Sequence, residues 1–387
     1  MSFIKHQEFS QMINSLYNIP QKISNEWMDE MFSEATDENG RRLSETFANY
    51  GVCYRDLSKC DLSKLDEKHF YELAFNSSTS FPSADKMPKG YCPSDILEFG
   101  KNPMFDIKKL HKKGIDGSGV CVATIDFGFQ DIDHVEFKGS DIEIIDLFGD
   151  TGSHFHPDGV LSNLCGQNIG VAPKVKVYHY NTYMGSGEEV DKATLTILKE
   201  ILGKVQNNIK IRAVNMSGPL LRNKKLNKAS NEQERQKLEE VLSAPLLEII
   251  DKLQQLGCEV VTSNRFSQDF SCCDIDFVNK KFIKPAFYKR QDYIEKVSFI
   301  SGGKVIPEFA SESGYKYEPK GCYSWSIPQA VGMYALALQV NENLTWDNFA
   351  RLCRETSTLK DDVRLANPEG IIEKVRQKDL KNEQTLQ

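Results

Sequence analysis

Three residues of this sequence have the types and the chain order needed to activate a hydroxyl: Asp126, His156 and Ser324. Opening an amide with serine needs a nucleophile, a base that takes its proton and an acid that holds the base. In open α/β sheets such groups sit at the carboxyl ends of strands and at the starts of helices. Asp126 ends the apolar, β-branched run Val120–Asp126, and Gly128 permits the turn that follows. An acid there serves either a triad or an ordinary turn or helix cap. His156 precedes Pro157, and proline at a first helical position predicts a helix starting there, with Gly159, Val160, Ser162 and Leu164 as a small, apolar face. His154 is the local competitor but lacks the offset to that face, and His134 and His179 read as structural. Ser324 stands before an apolar, small-residue helix containing Pro328. Backbone N–H groups and the positive end of the helix dipole there suit a developing oxyanion, and equally suit a capping serine. Ser326, the other candidate nucleophile, lies too far into the helix.

The elements that must position these residues alternate. Val120–Asp126, Lys174–Tyr180, Ile211–Met216 and Glu259–Ser263 read as strands. Between them, Pro157–Leu164, Val190–Val205 and Asn231–Leu256 read as helices, the last capped by Asn231 or Ser230. That alternation predicts an α/β fold: a mostly parallel sheet covered on both faces. Before it, residues 1–75 are polar, with helical spacing over Asn25–Tyr50 (Trp27, Met31, Phe32 and Phe47 apolar) and over Glu67–Phe75. Residues 77–103, rich in Ser, Pro and Gly, read as a surface connector.

Taken together, these segments resemble subtilisin-like serine proteases over about residues 98–375, in that family's Asp, His, Ser order. Leu110–Val120 looks like its lead-in and Asp126-Phe127-Gly128 like its Asp-Ser/Thr-Gly. His156-Pro157-Asp158-Gly159-Val160 stands where His-Gly-Thr-His-Val is usual, and Gly170-Val171-Ala172-Pro173 is an unaltered block. Val214-Asn215-Met216-Ser217-Gly218 looks like the strand that pairs with substrate backbone. Val260-Val261-Thr262-Ser263-Asn264 resembles the strand leading to the oxyanion asparagine. Bacterial members share Phe99-Gly100-Lys101-Asn102-Pro103, Ser-Trp-x-Ile-Pro around the nucleophile and the late Asn367-Pro368.

The resemblance implies a subtilisin-like three-layer fold and a serine endopeptidase acting through an acyl-enzyme. It implies Asp126, His156 and Ser324 as the triad, Asn264 as oxyanion donor, and Ser217 and Gly218 at the substrate, while Arg265 beside Asn264 is expected to favour acidic substrate side chains. No cofactor is required. Structural calcium is frequent in the family, but no ligand set is visible. Cys322-Tyr323 replaces the usual Gly-Thr and Ser263 the usual Gly, so the alternative is a catalytically silent, peptide-binding relative.

The expected organisation is a mainly helical N-terminal extension (1–97) that packs on or guards the active site, a peptidase domain (98–375) and a polar tail (376–387). With net charge −7 and no long basic run, nucleic acid is not an expected partner. The absence of a signal-like run and of any long apolar span predicts a cytoplasmic protein acting on peptides or proteins, with no membrane role. The ten cysteines are expected as reduced thiols, and Cys272-Cys273 has no neighbouring Cys-x-x-Cys with which to bind zinc.

Overall fold

Alternation along the first long strand sets the architecture. In β2 (Cys121–Asp126), Val122 faces one hydrophobic cluster while Ala123 and Ile125 face another, as a period of two residues demands. The strand is therefore covered on both sides. The computed structural model describes residues 52–385 apart from 54–55, 66–72, 103–105, 130–131, 150, 153, 184–186, 277–280, 286–294, 309–310 and 322.

β2 is central in a five-stranded parallel sheet of order β3-β4-β2-β5-β6, with β3 (Asp141–Ile145), β4 (Lys176–Asn181), β5 (Ile211–Asn215) and β6 (Glu259–Val261). Before it come α1 (Pro93–Lys101) and the short α2 (Lys108–Lys112). On one face pack α4 (Glu188–Gln206) and α5 (Glu232–Gln255), through Ile197, Leu198, Ile201, Leu246, Ile249 and Leu253. The other face is covered by α3 (Phe155–Cys165), α7 (Tyr323–Val340) and α8 (Trp346–Thr356), with α9 (Pro368–Thr385) adding Ile371, Ile372 and Val375 to the same core. The three layers expected from sequence are present.

The four expected strands fall within two residues of their predicted bounds. Glu259–Ser263 is shorter than read, because Thr262 instead caps α6 (Ser263–Asp269), its hydroxyl accepting the Arg265 N–H at 3.2 Å. Asn231 is the cap of α5, accepting from the Glu234 N–H at 2.9 Å, while Ser230 donates to the Glu234 carboxylate.

Two further sheets were not foreseen. Strands β7 (Phe270–Asp276), β8 (Lys281–Ile283), β9 (Val297–Gly302), β12 (Thr358–Lys360) and β13 (Val363–Leu365) form a mixed sheet of order β12-β13-β9-β7-β8. The third is a three-stranded antiparallel clip, β1-β11-β10, joining β1 (Phe75–Asn76) to the hairpin of β10 (Lys304–Pro307) and β11 (Tyr315–Glu318).

The helix read over Asn25–Tyr50 lies outside the described residues, as does most of Glu67–Phe75. The end of the latter is a correction: Phe75 pairs with Tyr317 as a strand residue, since its fully buried ring packs on Tyr317 and Phe81, an aromatic cluster no isolated helix offers. Apart from β1 and a single 3-10 turn at Ala84–Lys86, the described residues from 52 to 92 are loops and turns around Val52, Leu57, Leu62, Leu73, Phe75 and Tyr91, which share a core with Val305, Tyr315 and Tyr317. The nine described cysteines are free thiols, with Cys165 and Cys258 buried and Cys121 half-buried. Among the described residues no helix is long and apolar enough to cross a membrane.

Candidate active site

Asp126 is the last residue of the central strand and is 2% exposed. Burial pushes its carboxyl up. The facing His156, then the charge of Arg222 and the Phe127 N–H at 2.8 Å outweigh that and hold it below the usual carboxylate range. His156 Nδ1 lies 2.9 Å from both carboxylate oxygens. A neutral imidazole donating there from Nδ1 keeps Nε2 as a proton acceptor.

His156 is the second residue of α3, not the residue before it. The helix starts at Phe155 because His154 caps it, its Nδ1 accepting the His156 N–H at 3.1 Å. Burial and the neighbouring His156 hold the His154 imidazole down at about 4. His179 is a second buried support: its Nδ1 pairs with the Thr124 hydroxyl at 2.7 Å and its Nε2 with the Phe127 carbonyl at 3.1 Å. His134 likewise binds the Gly314 carbonyl.

Ser324 lies in the first turn of α7, as expected of either reading. Pro328 is four residues further on and has no N–H, so the Ser324 carbonyl loses its helical donor. The Ser217 hydroxyl supplies one instead, at 3.2 Å. In return the Ser324 hydroxyl donates to the Ser217 carbonyl at 3.3 Å. Ser217 thus clasps the candidate nucleophile, and is itself held by Asn215 Nδ2 at 3.2 Å. The loop before Ser324 is pinned from below by Asp274, which accepts from the Ser301 hydroxyl at 2.6 Å and from the N–H groups of Gly302 and Gly321. Burial pushes that carboxyl up to about 6. Gly321 admits no side chain, because a Cβ would lie 1.8 Å from the Ser301 carbonyl oxygen.

Trp325 completes the site and was not singled out from sequence. Its ring lies 5.4 Å from that of His156, tilted by 35°. It fits only because residue 159 is glycine: a Cβ there would sit 2.4 Å from the indole. Trp325 also packs with Val160 and Ile306, which connects the imidazole to the β10–β11 hairpin. The sequence does carry a signal for it, a glycine one helical turn after the histidine, but the partner is visible only in three dimensions.

Asn264 is exposed in the first turn of α6, its Oδ1 facing the Ser263 hydroxyl at 3.5 Å. The Ser263 N–H donates to the Gly218 carbonyl at 3.0 Å, so the Ser217-Gly218 edge and the Asn264 turn are one connected rim. Arg265 does not belong to it. Its guanidinium is bound by Glu259, Asp269 and Asp347, each at 2.7 Å. Adjacency to Asn264 does not bring it alongside, because consecutive residues of a helix point about 100° apart. Among the described residues no group of three His, Cys, Asp or Glu is placed to hold a metal ion.

No family model and no curated protein matches the sequence. Solved structures do match. Fervidolysin from Fervidobacterium pennivorans, a keratinolytic enzyme related to subtilisin, is similar at 15% identity and a TM-score of 0.50, covering 72% of this chain and 45% of that one. The prenylagaramide maturation protease PagA is similar at 16% identity and 0.47, covering 70% and 98%. The PatG macrocyclase in complex with peptide matches at 13% and 0.47, covering 70% and 95%. The fold of this chain is subtilisin-like.

Proposed function

We propose that the chain is a serine endopeptidase in which Ser324 attacks, His156 moves the proton and Asp126 holds the imidazole. The observation that carries this reading is the Asp126–His156 pair, with Nδ1 bonded to a buried, ionised carboxylate. A scissile carbonyl lies against Ser324, and His156 Nε2 takes the hydroxyl proton as the imidazole becomes a cation that Asp126 stabilises. For this the Ser324 hydroxyl turns from the Ser217 carbonyl to Nε2. Catalytic hydrogen bonds in ligand-free enzymes are often loose and tighten only on binding. Asn264 and the Ser324 N–H receive the oxyanion, a contribution worth roughly 3–4 kcal/mol per side-chain donor. The protonated imidazole then releases the amine, and water, deprotonated by His156, frees Ser324 from the acyl-enzyme. Ser217 and Gly218 align the peptide backbone.

A fluorophosphonate probe tests this directly. Labelling of the parent protein that vanishes in Ser324→Ala supports it, whereas no labelling of protein that is folded by circular dichroism refutes it. A second reading, a silent peptide-binding protein, is favoured by one observation: the resting hydroxyl bonds Ser217 and not the imidazole. It requires peptide binding that survives Ser324→Ala, with no turnover by the parent.

A further inference from the structure

Arg222 is half-buried beside the candidate triad, close enough for its charge to act on Asp126, but among the described residues no carboxylate forms an ion pair with its guanidinium. The main-chain N–H is anchored to Asp191 at 2.8 Å, and the guanidinium carbon stands 5.2 Å from the centre of the Phe127 ring. Phe127 in turn packs on the rings of His154 and His156, at 5.3 and 5.8 Å. A Cβ on Gly218 would lie 2.7 Å from a terminal nitrogen of Arg222, so the guanidinium is pressed against the Ser217-Gly218 rim. Among the described residues no carboxylate pairs with it and no acceptor takes its five N–H groups. The contrast with Arg265, held by three carboxylates, is direct.

A planar cation stacked on an aromatic ring is fixed in orientation, and its fork of donors matches a carboxylate. Its charge also favours ionised Asp126, but that effect uses none of the hydrogen bonds. The donors face the rim along which a peptide would lie.

We propose that Arg222 is a specificity-determining residue that receives the side-chain carboxylate of a Glu or Asp close to the scissile bond, making acidic peptides the preferred substrates. The catalytic part of this rests on the endopeptidase reading, whereas the binding part does not. The experiment therefore measures binding to Ser324→Ala protein by fluorescence anisotropy, using amidated decapeptides that carry Glu, Gln or Lys at one varied position. At one position Glu should bind roughly tenfold tighter than Gln, as expected of a charge-assisted bidentate pair. That gap should fall below about twofold in the Arg222→Met background, which keeps the stem on Phe127. It should invert in favour of Lys with Arg222→Glu and partly survive Arg222→Lys. Equal binding of Glu and Gln at every position, no binding of any Glu peptide, or a preference unchanged by Arg222→Met would each overturn it. Cleavage by the parent without an acidic preference sinks this assignment alone. Acid-selective binding without cleavage or probe labelling supports it while refuting the peptidase.

Discussion

At the scale of residues, the site depends on shape as much as on its ionisable groups. Trp325 lies on His156 because Gly159 leaves room, so Gly159→Ala should drive the indole, and with it the imidazole, out of place. Fluorophosphonate labelling should slow by at least about tenfold, since small displacements of catalytic groups carry large rate costs. Gly159→Ala and Trp325→Leu should be strongly non-additive, as substitutions in direct contact are. A different signature belongs to Lys304, which is 3% exposed and bonded to Asn163. Burial pushes its ammonium down to about 7. Between about 7 and its ordinary value the unfolded chain holds a proton that the folded one has shed, so its contribution to stability rises with pH across that window. Urea melts at pH 7 and 8.5 should show the parent gaining on Lys304→Met. The placement of Asp126, His156 and Ser324 at element ends was legible because each of those ends carries a local signal. The locked Arg265, the open Arg222 and the Trp325–Gly159 contact were not, because where a long side chain ends is decided by elements far away in sequence.

At the scale of elements, α7 and the rim after β5 are joined by two hydrogen bonds, one of which fills the place of the helical donor that Pro328 lacks. Ser217→Ala should leave the Ser324 carbonyl unsatisfied and destabilise the protein by about 1–3 kcal/mol. Adding Pro328→Ala restores a helical N–H donor, so the double variant should melt above Ser217→Ala alone by scanning calorimetry. Local chemistry made most of these elements readable: Asn231 and Pro157 mark helix starts, and the β-branched runs mark the central strands. It failed where two elements meet. Strand β3 alternates charged and apolar residues at a sheet edge and carries little hydrophobic signal. The FSCCDID and VSFISG runs of β7 and β9 are buried, save the half-buried Asp276, but short, which periodicity alone cannot assign.

At the scale of the whole molecule, the clip is the least expected feature. Residues 52–97 supply most of a core that the β10–β11 hairpin and Ile169 complete. Asn76 Nδ2 and the Ser78 N–H bind the buried Glu308 carboxylate at 2.9 and 3.2 Å. We expect this segment to be retained as part of the working fold. A chain beginning at Phe99 exposes Val305, Tyr315 and Tyr317 and should aggregate or lose its cooperative melt. A stable, probe-reactive chain starting there would establish a removable propeptide instead, and intact mass would reveal the cleavage. Phe75→Ala should remove about 3–5 kcal/mol by leaving a cavity in that core. The connector composition of 77–103 hid this role, since loops that supply core residues read like loops that do not.

The clip also dictates when this protein can become finished during its own synthesis. Ser77 bonds to Tyr315 in both directions across 238 residues. At roughly 5–20 residues per second, a ribosome needs about 12–48 s to make that stretch. Until then the apolar face of the early segment has no mate, so it must stay shielded or be held by a chaperone. The same hairpin that supplies the mate touches Trp325 through Ile306, and Ser324 itself emerges a few residues after β11. Pairing of this early segment and completion of the candidate site thus fall together, once β11 and the first turn of α7 have been made.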